Sequence, residues 1–134
     1  MIGHSKGQAL AAYQSVATHG GVAAADQHGL ILMLIDGVLE RVAGARAAIV
    51  DHDMPGKARL LNRALVIVDE LRGSLDFEAG GQVARNLDSL YEYCSRRMLA
   101  ASVGLNAEPL DEVVRLLSHI RGSWVAARDL ARSK

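Results

Sequence analysis

Aromatic side chains are scarce in this chain. Of 134 residues one is Phe, one Trp and three Tyr, yet half are apolar. The core is therefore expected to be aliphatic, built from Leu, Val, Ile, Ala and Met. Net charge is absent as well, because 15 basic residues balance 15 acidic ones. That argues against a nucleic-acid binder relying on phosphate neutralisation, and against a polybasic membrane anchor. The single cysteine, Cys94, permits no intramolecular disulfide. No set of Cys and His stands at ligand spacing, so no structural zinc and no other metal or cofactor is expected. Cysteine this sparse fits a reducing compartment. Long hydrophobic runs are missing too. The longest, Leu30 to Ile35, has six residues, whereas a membrane helix needs about 20. Met1-Ile2-Gly3-His4-Ser5-Lys6 has no apolar run suited to a signal peptide. These absences lead to the expectation of a soluble cytosolic protein with no membrane insertion. The length suits one domain, and a charged fraction of 22% with this aliphatic content is not that of a disordered chain.

What is present is helical periodicity. Residues 1–25 carry one formal charge, Lys6, and four glycines. Leu10, Tyr13 and Val16 recur there, predicting a short, lightly held helix near residues 6–18 and a hinge at Gly20-Gly21. Residues 26–134 form the rest of the single domain. Asp26 is a candidate cap for a helix starting just after it. In that helix Ile31, Ile35, Val38, Val42, Ala45 and Ile49 make a seam of coiled-coil type. Asp53-Met54-Pro55-Gly56 breaks the chain, with Pro55 suited to a first helical position. The next stripe is Leu61, Ala64, Leu65, Val68, Leu71 and Leu75, in a helix from about Pro55 to Asp76. Gly80-Gly81 ends the following connection. Val83, Leu87, Leu90, Cys94, Met98, Ala101 and Leu105 then mark a further helix. Past Asn106-Ala107-Glu108-Pro109, the last stripe is Leu110, Val113, Leu117, Ile120, Trp124 and Ala127. No strand alternation competes. The expectation is an all-α fold, an antiparallel up-and-down four-helix bundle with a loosely held N-terminal helix.

The sequence holds little that could do chemistry. A di-iron bundle needs inward Glu-x-x-His pairs, and none of the six glutamates has His three places on. The five histidines never fall at helical spacing, and there is no P-loop and no His-Glu-x-x-His. Cys94 sits on a seam, where a cysteine is ordinarily a small core residue. The expectation is that the chain is not an enzyme.

Apolar surface, by contrast, is in surplus. Leu30-Ile31-Leu32-Met33-Leu34-Ile35 is apolar around the whole helix, and a bundle helix needs only a stripe. Either the N-terminal arm covers the outer side, or that side belongs to a groove for another chain with the arm as a removable cover. The two readings are compatible, since a large uncovered patch marks an interaction site. A structural adaptor bundle that oligomerises through the same face is the alternative. Asp36, Asn86, Tyr91 and Tyr93 lie beside the seams, either as wetted packing residues or as a polar rim.

The ordered blocks resemble a known family. They are Tyr13 with Val16, then Leu30-Ile31-Leu32-Met33-Leu34-Ile35-Asp36-Gly37, then Lys57, Ala64 and Asp69-Glu70-Leu71. Leu75-Asp76 leads into Gly80-Gly81-Gln82-Val83-Ala84-Arg85-Asn86-Leu87. Leu90-Tyr91-Glu92-Tyr93, Arg96-Arg97-Met98-Leu99, Leu110-Asp111-Glu112-Val113, Leu116-Leu117 and Ile120-Arg121 with Trp124 complete the series. Together they resemble the flagellar secretion chaperone family, FliS, over residues 13–124. Two positions depart from the family pattern. Gln27 stands where a proline commonly precedes the Leu-Ile pair, and Ile35 stands for the tyrosine before Asp-Gly. The resemblance implies a cytosolic helical bundle that binds the disordered C-terminal segment of flagellin, blocks premature polymerisation and supports type III flagellar export. It implies Tyr13 as a plug on the arm, Ile31, Leu34 and Ile35 as apolar groove contacts, and Asp36, Asn86 and Tyr93 as polar supports. A flagellar export-gate component is a further candidate partner, and the expected state is a monomer or weak dimer.

Overall fold

Helical seams dominate the architecture. The computed structural model describes residues 24–132. They form α1 (Ala24–Val50), α2 (Met54–Gly73), α3 (Phe77–Val103) and α4 (Glu108–Arg132), with no strand among the described residues. The short N-terminal helix and the Gly20-Gly21 hinge expected from sequence lie outside that range.

Each helix packs on two others, in the cyclic order α1, α2, α3, α4 and back to α1. This is the up-and-down bundle that short connections favour. The α1 seam faces the centre along its whole length, from Ile31 to Ile49. Leu61, Ala64, Val68 and Leu71 meet it from α2. Val83, Leu87, Cys94 and Met98 come from α3, and Leu110, Val113, Leu117 and Trp124 from α4. The aliphatic core is as expected, with two large aromatic members, Tyr91, which is wholly buried, and Trp124, which is nearly so.

The helix ends sit a few residues from where the periodicity put them. α1 already runs from Ala24, so Asp26 falls inside its first turn. The helix stops when His52 takes φ 57° and the Asp53 N–H donates to the Ala48 carbonyl at 2.8 Å. Asp53 then caps α2, its carboxylate accepting from the Gly56 N–H at 3.0 Å. α2 ends at Gly73, short of Asp76. Asp76 instead caps α3, accepting from the Ala79 N–H at 2.9 Å. Gly80-Gly81 therefore lies within α3, not ahead of it, and Gly81 kinks the helix with φ 51° and ψ −128°. Leu105, counted on the α3 stripe, falls past the end of that helix and is exposed. Lys57, buried near the start of α2, donates from Nζ to the Gly104 carbonyl at 2.7 Å and pins the α3–α4 connection.

The most extensive helix contact is between α1 and α2. Small residues explain it. A Cβ on Gly44 would stand 3.0 Å from Leu60 Cδ1, and one on Gly37 would stand 3.4 Å from Ile67 Cδ1. Gly37 and Gly44, two turns apart, thus let the α2 side chains lie down on the α1 backbone.

Candidate functional site

The apolar run on α1 divides between core and surface. Ile31 and Ile35 have no exposed surface, and Leu32 is buried. They belong to the core. Leu34 is half-buried and packs against the core from its edge. Leu30 and Met33 face outward, Met33 with 70% of its surface exposed.

Across the α1–α2 seam, Val66 is also exposed and Ile67 half-buried. A depression of about 340 Å³ lies between Arg41, Asn62, Arg63, Val66 and Ile67. A second, of about 400 Å³, continues it past Glu40, Arg59 and Leu60, sharing Arg41 and Arg63. The two make one groove along α1 and α2. None of the described residues that sequence reasoning nominated lines either depression. Met33 was marked only as part of the apolar run, and Val66 was not singled out. The signal for Val66 was its position off the α2 stripe, which is where an outward residue belongs.

The polar candidates are distributed elsewhere. Asp36 spans the α1–α4 seam, where Arg121 donates to it through Nε at 2.6 Å and Nη2 at 3.4 Å. That hydrogen bond raises the Arg121 pKa above its ordinary value. Tyr93 lies on the other flank of α4. Its hydroxyl donates to Glu112 at 2.8 Å, and Arg97 Nε donates to the same oxygen at 2.8 Å. The Tyr93 hydrogen bond, with Arg97 adding to it, holds the Glu112 carboxyl below the usual range. The same bond raises the Tyr93 pKa. Arg96 lies over the Tyr93 ring at 5.4 Å. Asn86, two turns before Tyr93 on α3, accepts from Gln82 Nε2 at 2.9 Å. Asp36 and Tyr93 join helices at separate places, Asn86 bonds within its own helix, and the three do not converge on one site. Tyr13 lies outside the described residues.

A further contact went unnoticed in the sequence. The His28 and Trp124 rings stack at 4.2 Å, Trp124 Nε1 donates to the His28 carbonyl at 3.0 Å, and His28 Nε2 lies 2.8 Å from the Trp124 carbonyl. This reciprocal clasp fixes the first turns of α1 to the end of α4. Cys94 is buried in the core, and burial pushes its thiol up to about 12, so it stays protonated at neutral pH. Among the described residues no cluster of His, Cys, Asp and Glu could hold a metal ion. Also among them, no helix is long and apolar enough to cross a membrane.

The chain matches the family model described as flagellar protein FliS over residues 9–131. It is 40% identical over 117 residues to the flagellar secretion chaperone FliSB of Pseudomonas aeruginosa, covering 87% of this chain and 93% of that protein. Identity to the flagellar secretion chaperone FliS of Salmonella typhimurium is 38% over 116 residues, 86% of each chain. The FliS of Bacillus subtilis is 30% identical over 98 residues, 73% of this chain and 72% of that one. With a helical bundle that matches across nearly its whole length, the chain belongs to the FliS family of flagellar secretion chaperones.

Proposed function

We propose that this protein binds the C-terminal segment of flagellin in the cytosol, prevents its premature polymerisation and keeps it ready for type III flagellar export. The observation that carries the reading is the outward half of the apolar run. Leu30 and Met33 on α1 and Val66 on α2 present aliphatic surface that the bundle core does not use. A disordered client loses conformational entropy when it orders on a surface, so it needs a long apolar contact to offset that cost. A helix laid in the α1–α2 groove would meet it through anchors at i, i+3, i+4 and i+7. Binding is stoichiometric and involves no chemical turnover. Tyr13 is the plug that covers the client surface in the free protein and moves aside, and the complex is handed to an export-gate component. Asp36 acts indirectly, by tying α1, which carries part of the surface, to α4, while Tyr93 ties α3 to α4 and Asn86 bonds within α3.

Calorimetry with a synthetic peptide of the flagellin C-terminal segment tests this reading. A 1:1 complex is expected, and no heat at tens of micromolar would sink it. Tyr13→Ala is expected to change the affinity for that peptide, and an unchanged dissociation constant would remove the plug.

A further inference from the structure

The α1–α2 groove is apolar along part of its floor and cationic along its rim. Arg59 and Arg63 stand one turn apart on α2, and Arg41 faces them from α1. Arg41 lies low in the groove, donating through Nη1 to the Gly37 carbonyl at 3.0 Å. Glu40 is the single acidic residue lining either depression.

The other arginine pairs make the contrast. Ion pairs join Arg46 to Asp111, Arg72 to Asp88, Arg96 to Glu92, Arg97 to Glu112 and Arg121 to Asp36. All lie away from this groove. Among the described residues, no carboxylate comes within 4.0 Å of the Arg41, Arg59 or Arg63 guanidinium. In a chain with zero net charge, the groove is thus a local concentration of unpaired cations beside exposed aliphatic surface.

We propose that this groove takes an amphipathic helical part of the flagellin segment whose carboxylates stand one turn apart and pair with Arg59 and Arg63. The inference rests on the client assignment above and adds the chemistry of recognition. Side chains four residues apart on a helix are neighbours, so two carboxylates at that spacing match two arginines at the same spacing. Arginine suits the task because its planar fork can bind a carboxylate through two parallel hydrogen bonds. The apolar anchors would rest on Val66, Ile67 and Leu60, and the charges would fix the register along the groove. Charge pairs of this kind act mainly on specificity and association rate, and salt weakens them.

The test is calorimetry of the full chain with the flagellin C-terminal peptide at low and high salt. The double variant Arg59→Glu/Arg63→Glu is expected to weaken binding tenfold or more at low salt and to flatten the salt dependence. Arg85→Glu, on α3 and away from the groove, is expected to leave both unchanged. Changing two peptide carboxylates at i, i+4 to Lys should restore affinity for the double variant. Both arginines are exposed, so the fold should survive, and Arg59→Gln/Arg63→Gln provides the milder check with an intermediate loss. Affinity within twofold of the parent for both double variants would overturn the inference while leaving the client assignment intact. A parent chain that does not bind the peptide would overturn the client assignment itself. A change in self-association without peptide, read by sedimentation, would assign the groove to a second copy and overturn the inference.

Discussion

Glu112 shows how much a single surface carboxylate can organise. It accepts from Tyr93 and Arg97, both on α3, and so ties that helix to α4. Its folded pKa is depressed, chiefly by the Tyr93 hydrogen bond. A depressed carboxylate stabilises the fold fully above its unfolded value of about 4.3 and loses that contribution as pH falls through the folded value. Glu112→Gln should therefore melt below the parent at pH 7, with the gap closing as pH falls below about 4. Thermal melts across that range check it, and a gap independent of pH would show that the charge is irrelevant. None of this was visible in the sequence, where Tyr93 looked like a rim residue. Its partner is 19 positions away, and hydrogen-bond partners across a seam depend on how two helices are rotated. The His28–Trp124 clasp was hidden for the same reason, with 96 positions between the rings. Gln27 is the inverse case. The family pattern marked it as a departure, and it is buried with no acceptor for Nε2 among the described residues.

Helix identity was legible because each seam repeats over several turns, whereas helix ends depend on one or two residues. The α2–α3 connection illustrates the difference. Two adjacent glycines normally signal a loop, but Asp76 offers a capping carboxylate earlier, and the helix starts there with the kink carried inside it. Gly81 has positive φ, and open space surrounds its missing Cβ. Gly81→Ala should thus cost about 1–3 kcal/mol through backbone strain alone. Gly122 lies in the interior of α4, with nothing within 4 Å of an added Cβ. Gly122→Ala should stabilise by roughly 0.5–1 kcal/mol, because alanine loses less backbone entropy in a helix. Denaturant melts of the two variants should move in opposite directions. Equal shifts would mean that the kink at Gly81 relaxes without strain.

At the scale of the molecule, the bundle separates two uses of aliphatic surface that the sequence ran together. The apolar run on α1 was legible as a surplus, but which of its residues turned outward was not. A continuous run has no periodicity of its own, and its rotation is set by α2 and α4. Ile31 and Ile35, nominated as client contacts, proved to be core, and Met33 beside them is exposed. This division makes stability and binding separable. Ile35→Ala removes buried methyl groups and should cost about 2–5 kcal/mol of stability. Met33→Asp changes an exposed position, where substitutions usually stay within about 0.5 kcal/mol. It also places a negative charge on the surface proposed for the client, where it would repel the client's own carboxylates. The expected result is a parent-like melting temperature for Met33→Asp, with affinity for the flagellin peptide reduced at least tenfold. Ile35→Ala, studied well below its melting temperature, should bind within a few-fold of the parent. If Met33→Asp bound the peptide as the parent does, the outward face of α1 would have no part in client capture. The surplus at residues 30–35 would then need a different occupant.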